Sequence, residues 1–195
     1  MNIPPPIPTA SPFSPNQIAE LAIARKAMKP IRRAVGMAQM DGWSLAVFAG
    51  LTLICGFSSL TAILVGVGLG VIAYIELRSI PKLRQLDSAV AKTLTYNQLA
   101  LAALLILYAG YNLLFPTPLP TEVIANNAEL KAAGIDMGSL QSMLNQVVYF
   151  ALIAVAVGVQ GSTALFYFRR TKMIESYLAH TPPWIVQMQK AGFNP

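Results

Sequence analysis

Cysteine, histidine and charged residues are all scarce in this sequence of 195 residues. Cys55 is the single cysteine and His180 the single histidine, which excludes an internal disulfide framework and a multi-cysteine zinc site within the sequence. Charged residues make up 11% of the chain, whereas soluble domains contain roughly 25%. Because 55% of the residues are hydrophobic, so few charges could not cover the surface of a soluble protein. Much of the surface is therefore expected to face lipid.

Motifs that carry catalytic chemistry are also missing. The sequence contains no Gly-rich phosphate loop ending in Lys-Ser/Thr, no nucleophile elbow and no HExxH pattern. An active site at the end of a membrane span would need clustered His, Asp or Cys, and only the scattered Glu76, Asp87 and His180 are present. We expect no catalytic, cofactor-binding or metal-binding residues and no cofactor. A membrane-embedded lipid-modifying enzyme is the least favoured function class.

Basic residues are present in a pattern that predicts topology. Thirteen of the fourteen Lys and Arg residues fall in the blocks 25–33, 78–92 and 169–190, separated by charge-free stretches. Lys and Arg near spanning helices stay on the cytoplasmic side. The pattern predicts a multi-pass membrane protein with both termini in the cytoplasm, and we place it in a bacterial inner membrane. The net charge of +6 follows from this topology, so we expect no nucleic-acid partner.

The predicted fold class is an all-α integral membrane protein. It is a four-helix transmembrane bundle, with two short helices as a tight hairpin, then two full spans, and an N-terminal interfacial helix. The segments are a Pro-rich tail (1–14), the basic interfacial segment (15–41), the hairpin (42–77), a cytoplasmic loop (78–95), the third span (96–115), an external loop with a short helix (116–138), the fourth span (139–170) and a cytoplasmic helical tail (171–195).

The hairpin prediction depends on length. The charge-free stretch 42–75 has 34 residues, and one straight helix of that length would run about 51 Å, against about 30 Å of hydrocarbon. Both flanks are basic, so an even number of crossings is expected. Helices at 43–57 and 60–77, joined at Ser58-Ser59, satisfy both constraints. A re-entrant hairpin that returns to the same side is the alternative.

The segment before the hairpin combines a helix start with a basic face. Ser14, Pro15 and Gln17 predict a capping box with Pro at the first helical position, and Pro30 is expected to kink or end the helix. We expect the segment to lie in the membrane interface; the alternative is a helix that packs on the cytoplasmic loops. Five side chains are predicted to contact anionic lipid headgroups: Arg25, Lys26, Lys29, Arg32 and Arg33.

Small residues recur at helical spacing in three of the predicted spans. Such residues allow two helix backbones to approach closely, which is a main source of attraction between helices in lipid. The predicted packing residues are Ala46 and Gly50 in the first span, Ala62, Gly66 and Gly70 in the second, and Ala154, Gly158 and Ser162 in the fourth. We expect a compact bundle in which the second span is buried, either within the chain or in a homo-oligomer.

Polar groups within the predicted spans are few. Gln160 is expected to hydrogen-bond across helices, with Thr52 or Thr61 as candidate partners. Glu76 lies at a span end, and we expect a boundary ion pair with Arg78 or another basic residue.

The favoured function is a non-enzymatic accessory, scaffold or assembly subunit that acts through helix packing in a homo-oligomer or larger membrane complex. The alternative is a small oligomeric transporter or channel.

Overall fold

The computed structural model describes residues 13–57, 59–116 and 137–193, and nearly all of them are helical. The predicted tail (1–14) lies almost entirely outside the described residues, as does most of the loop 116–138 with its predicted short helix. The helical segments are α1 (Pro15–Cys55), α2 (Leu60–Arg84), α3 (Ser88–Leu114), α4 (Met137–Val155), a π-helical turn (Ala156–Gln160), α5 (Gly161–His180) and α6 (Pro183–Lys190).

Four of these helical stretches are long and apolar enough to cross a membrane. They are α1, α2, α3 and the continuous rod Gly138–His180, which comprises α4, the π turn and α5. Their outward faces carry many exposed large hydrophobic side chains, among them Phe48, Ile54, Leu107 and Phe150. Such a surface is unfavourable in water and favourable in lipid. The described part of the chain is all-helical, and its four long apolar helices are those of a membrane protein.

Helix α1 begins as the sequence predicts and is longer than predicted. Ser14 Oγ accepts from Gln17 N at 3.3 Å and Gln17 Oε1 accepts from Ser14 N at 2.9 Å, so both bonds of the capping box form. The helix then continues through Pro30 for 41 residues, about 62 Å. The expectation that Pro30 ends the helix is wrong, and the alternative expectation, a kink at Pro30, stays a prediction. Burial of Ile31 and Ala34 immediately after it stabilises helical backbone that propensity alone would disfavour.

Helices α1 and α2 separate where the hairpin was predicted to turn. Helix α1 ends at Cys55, Gly56 caps it, and Ser59 Oγ accepts from Ala62 N at 3.4 Å to start α2. The two helices pack extensively on each other. A Cβ on Gly56 would overlap the Cβ of Ala62 and the Thr52 carbonyl oxygen. The absence of a side chain at residue 56 is therefore what permits so short a connection.

Segment 78–95, which was predicted to be a cytoplasmic loop, is instead almost entirely helical. Helix α2 extends to Arg84 and α3 already begins at Ser88, where Asp87 Oδ1 accepts from Ala89 N at 3.0 Å. The segment is helical because its apolar residues Leu83 and Val90 are buried against other helices. The turn itself has Leu86 at φ 64°, a left-handed conformation that is unusual for this residue.

The bundle has two separate cores along its length. One lies at the end that carries the basic blocks and combines α1, the α2–α3 turn, α5 and α6, with Met28, Leu94 and Ile174 among its members. The other is smaller and lies in the apolar half, around Leu69 and Leu101. We call these the basic-end core and the apolar core.

In the basic-end core, segment 15–41 packs on the rest of the described chain, and its location in the membrane interface stays a prediction. Its apolar face, which includes Ala24, Met28 and Ala38, is buried against the chain's own helices. A face covered by protein cannot also be inserted among acyl chains. The packing is that of the alternative, in which this helix covers the other basic segments.

Candidate functional site: a buried polar cluster

Polar side chains from several helices are buried between the two cores. Glu76 of α2, Gln98 of α3 and Tyr167 of α5 are almost completely inaccessible, and Asn97 and Thr171 are also buried. Glu76 lies one helical turn beyond Ile72 of the apolar core, and Gln98 lies between Leu94 of one core and Leu101 of the other. We call these five residues the polar cluster. Burying polar groups costs free energy unless they are paired, so each bond matters.

Two side-chain hydrogen bonds join α3 to α2 in this cluster. Gln98 Nε2 donates to Glu76 Oε1 at 2.9 Å. Asn97 Nδ2 donates to the Ile72 carbonyl oxygen at 3.0 Å. Both amides are adjacent in the sequence, and both acceptors lie four residues apart on α2. The pair of bonds therefore fixes the register between the two helices.

Four oxygen atoms of the cluster are buried without a hydrogen-bond partner among the described residues. They are Glu76 Oε2, Gln98 Oε1, the Tyr167 hydroxyl and Thr171 Oγ1. The charge of Asp41, on α1, interacts with Glu76, and both carboxyl groups interact with the Tyr167 hydroxyl. The cluster is thus a group of buried oxygens without partners, contributed by α2, α3 and α5, with the carboxyl group of Asp41 on α1 interacting with it.

The expected ion pair between Glu76 and Arg78 is wrong. Arg78 Nη1 donates instead to the Tyr74 hydroxyl at 3.0 Å, and its guanidinium lies 5.9 Å from the centre of the Tyr74 ring. Residues two apart on a helix point about 200° apart. When Glu76 faces the bundle interior, Arg78 therefore projects outward.

The predicted small-residue ridge on α2 lies against α1. Gly66 is buried, and a Cβ placed there would lie 2.7 Å from Leu53 Cγ. A Cβ on Gly70 would lie 3.9 Å from the Ala49 Cβ. Ala62 is half-buried, as are Ala46 and Gly50 on the facing helix.

The ridge predicted on the fourth span is exposed. Ala154, Gly158 and Ser162 all lie on the open surface, and a Cβ on Gly158 would meet nothing within 4 Å. Gln160 is half-buried and its side chain has no hydrogen bond to any described residue. Thr52, one expected partner, donates instead to the Phe48 carbonyl oxygen at 2.8 Å in its own helix. Among the described residues, none is therefore seen to pack on this ridge.

The remaining predicted residues lie on the surface. All five basic side chains proposed to contact lipid are exposed: Arg25, Lys26, Lys29, Arg32 and Arg33. Cys55 and His180 are exposed as well. Within the described ranges, no three His, Cys, Asp or Glu side chains are grouped closely enough to hold a metal ion.

A cavity of about 580 Å³ lies between α1 and α5 at the basic end. Its lining is mainly apolar and includes the ionisable residues Glu20, Lys172, Tyr177 and His180. Trp184 of α6 donates to Glu20 Oε2 at 3.2 Å beside it. This cavity is separate from the polar cluster, since the two share no residue.

Sequence reasoning did not find the polar cluster. A signal was present: Glu76 lies near the end of the second predicted span, and Asn97 and Gln98 lie near the start of the third. In an antiparallel pair these positions are at the same height, so an acid and two amides could have been placed together. Tyr167 and Thr171 could not have been added, because the orientation of the fourth span depends on the π turn.

Comparison with protein-family models, curated proteins and solved structures gave no match to this chain.

Proposed function

We propose that this protein is a non-enzymatic multi-pass membrane protein that acts through helix packing, as an accessory, scaffold or assembly subunit of a homo-oligomer or larger membrane complex. The observation that carries the proposal is the exposed ridge of Ala154, Gly158 and Ser162. The corresponding ridge on α2 packs against α1 through Gly66, whereas the exposed ridge meets no helix within the ranges 13–57, 59–116 and 137–193.

An open ridge of small residues suits a second membrane helix. In lipid, apolar side chains gain little by leaving one hydrocarbon for another, so close backbone approach supplies much of the attraction. Ser162 Oγ donates to the Gly158 carbonyl oxygen of its own helix at 2.6 Å, which leaves no free hydroxyl hydrogen on the ridge. The contact expected here is therefore one of van der Waals packing.

The membrane arrangement belongs to the same proposal. The α1–α2 pair crosses as a spanning hairpin, α3 and the α4–α5 rod cross once each, and both termini lie in the cytoplasm of a bacterial cell. Support comes from the basic blocks, which all lie at one end of the bundle. The exposed basic side chains of α1, including Arg25 and Lys29, would then attract anionic headgroups, at about 1 kcal/mol each near the surface.

Crosslinking in native membranes tests the packing proposal. The wild-type chain should give a crosslinked homo-oligomer or a specific co-purifying membrane protein, and Gly158→Leu should reduce that product. Gly110→Leu is the matched control, because a Cβ at Gly110 also meets nothing within 4 Å but lies on α3. A strictly monomeric wild type without partners would refute the proposal, as would a Gly158→Leu variant that crosslinks normally.

The second candidate function is a small oligomeric transporter or channel. The polar cluster favours it, because a buried carboxyl group with unpaired oxygens around it is expensive in a membrane protein and is typical of a transport path. Purified protein in proteoliposomes should then carry a flux of ions or small solutes that Glu76→Gln alters. Flux equal to that of empty vesicles across ions and small solutes would exclude this candidate.

A further inference from the structure

The bond between Gln98 and Glu76 leaves two oxygen atoms of the same two groups without a donor. Gln98 Nε2 donates to Glu76 Oε1 at 2.9 Å. The other oxygen of the carboxyl group, Glu76 Oε2, and the amide oxygen, Gln98 Oε1, are both buried and unpartnered among the described residues. An ionised carboxylate and an amide oxygen can only accept. A single proton shared between Glu76 Oε2 and Gln98 Oε1 would give both oxygen atoms a hydrogen-bond partner.

We propose that Glu76 and Gln98 form a proton-binding site. Glu76 Oε2 takes up one proton from water at the basic end of the bundle, which converts the carboxylate into the neutral acid. The new O–H donates to Gln98 Oε1, while Gln98 Nε2 still donates to Glu76 Oε1, so that acid and amide form a ring of two hydrogen bonds. One negative charge is lost, and no other bond is made or broken.

The groups that face Glu76 favour a proton over an ionised carboxylate. From α1, the carboxyl group of Asp41 interacts electrostatically with Glu76, and two like charges repel. From α5, Tyr167 brings a buried hydroxyl. The guanidinium of Arg170, on the same helix, lies over the Phe166 ring, 4.4 Å from its centre, and its Nη1 donates to Met173 Sδ at 2.7 Å. From α3, the contribution is the neutral amides of Asn97 and Gln98. On α2 itself, the nearest basic residue, Arg78, binds Tyr74.

A bound cation is the main competing occupant. Ca²⁺ takes six to eight oxygen ligands and Mg²⁺ demands octahedral coordination, whereas the buried oxygens without a partner in the described cluster number four. The amide N–H of Gln98 also points at the carboxyl group, where it would repel a cation. A proton needs only one acceptor. In the proposed ring that acceptor is the amide oxygen of Gln98, a side chain whose Nε2 already donates to the same carboxyl group.

Infrared spectroscopy of the full chain in lipid nanodiscs tests this proposal directly. The wild type at neutral pH should show the C=O stretching band of a protonated carboxylic acid, with the shift in D₂O that marks an exchangeable proton. Glu76→Gln should remove the band. Glu175→Gln is the matched control, because Glu175 is an exposed acid on α5, and the band should remain.

The variant Gln98→Leu tests the ring of hydrogen bonds independently of the protonation of Glu76. It keeps Glu76 but removes the amide oxygen, so the band should persist at a higher frequency, as expected for an acid without an acceptor. If Glu76→Gln fails to fold, this shift still identifies the acid. The proposal would be overturned if no acid band is present in the wild type, or if the band survives Glu76→Gln or keeps its frequency in Gln98→Leu.

Thermal stability in detergent gives a second readout. A group that binds a proton when folded stabilises the fold at low pH, and this contribution is lost as the pH rises and the proton leaves. The wild type should therefore melt at lower temperature at alkaline pH, and Glu76→Gln should show a smaller decrease than Glu175→Gln. If the wild type is instead stabilised by NaCl but not by choline chloride, with no effect of Glu76→Gln on the pH profile, a cation occupies the cluster and the proposal is wrong. These results do not depend on whether the chain oligomerises or transports a solute.

Discussion

Gly66 is a residue at which α1 and α2 approach each other closely in the apolar half. Its missing side chain leaves room for Leu53, whose Cγ would lie 2.7 Å from a Cβ at residue 66. A contact that short cannot be kept, so either the Leu53 side chain or the two helices must shift, and packing in the apolar half must loosen. The size of this residue therefore controls the packing of the hairpin.

Gly66→Leu should destabilise the protein by about 1–3 kcal/mol, the usual cost of overpacking a core. Gly50→Leu is the matched control, because a Cβ at Gly50 meets nothing within 4 Å. Thermal or denaturant unfolding in one detergent measures the difference. Equal stability of the two variants would show that the ridge on α2 is not a contact surface.

Leu86 shows burial outweighing backbone strain. Its φ of 64° costs about 1–3 kcal/mol for a residue with a Cβ, yet its side chain is 2% exposed in the basic-end core. Full burial of a leucine contributes about 2–5 kcal/mol relative to alanine. Because burial stabilises the fold by more than the strain costs, leucine is held in a conformation that glycine would adopt without strain.

Leu86→Ala should therefore destabilise the protein by about 2–5 kcal/mol, because it loses burial and keeps the strain. Leu86→Gly loses the same contacts but relieves the strain, so it should be the more stable of the two variants. This order is the reverse of the usual preference for alanine over glycine. Unfolding measurements on both variants would check it, and a less stable Leu86→Gly would contradict it.

Pro30 lies in the interior of α1 and is expected to destabilise this helix. A proline in a helix interior removes one backbone hydrogen bond and clashes with the preceding turn, at about 3 kcal/mol. Pro30→Ala should therefore stabilise the protein by up to about 3 kcal/mol. Pro15→Ala is the control, since Pro15 is the first residue of α1 and should change stability little. An unchanged or lower melting temperature of Pro30→Ala would indicate that the packing of the basic end requires a proline here.

The π turn decides which faces of the last long rod meet α3. Tyr149 of α4 contacts Tyr108 of α3 edge-to-face, with ring centres 6.1 Å apart, while Tyr167 of α5 is buried in the basic-end core. Extra residues in a helical turn rotate the two halves relative to each other, by about 100° per residue. Both contacts therefore depend on the turn.

Deleting Val157 should convert the π turn to regular α-helix and rotate α4 away from α3. In a chain with Cys55 replaced by alanine, cysteines at positions 108 and 149 should crosslink efficiently. The deletion should reduce this crosslink by about one order of magnitude or more, because the two side chains no longer face each other. Undiminished crosslinking in the deletion variant would show that the turn does not set the orientation of α4.

At the scale of the whole molecule, the proposed topology requires both termini to lie on one side of the membrane. All three basic blocks lie at one end of the bundle, because α1–α2 and α3–α5 are antiparallel pairs. Reporter fusions active on one side only should give the same result at either terminus. A cysteine at Asn126, in a chain lacking Cys55, should react with an impermeant thiol label added outside. Disagreement between the termini, or protection of residue 126, would contradict the topology.

The sequence was sufficient to predict helices that could cross a membrane, and the reason is local. Charge-free length and the Ser14 cap depend on the solvent and on neighbours within four residues. The expected helix end at Pro30 and the expected loop at 78–95 were wrong for the opposite reason. There, helix formation is stabilised by contacts between Met28, Leu83 and Ile174, which are far apart in the chain.

Composition and charge spacing by themselves determined that the chain belongs in lipid and is built from helices, because transfer to hydrocarbon and backbone hydrogen bonding act on each segment separately. Only the tertiary structure decided that Glu76 faces Gln98 and not Arg78, and that one small-residue ridge is covered while the other is open. Those outcomes depend on the rotation of each helix about its axis. The rotation of a helix is set by all of its contacts together, so it cannot be predicted from the sequence of that helix alone.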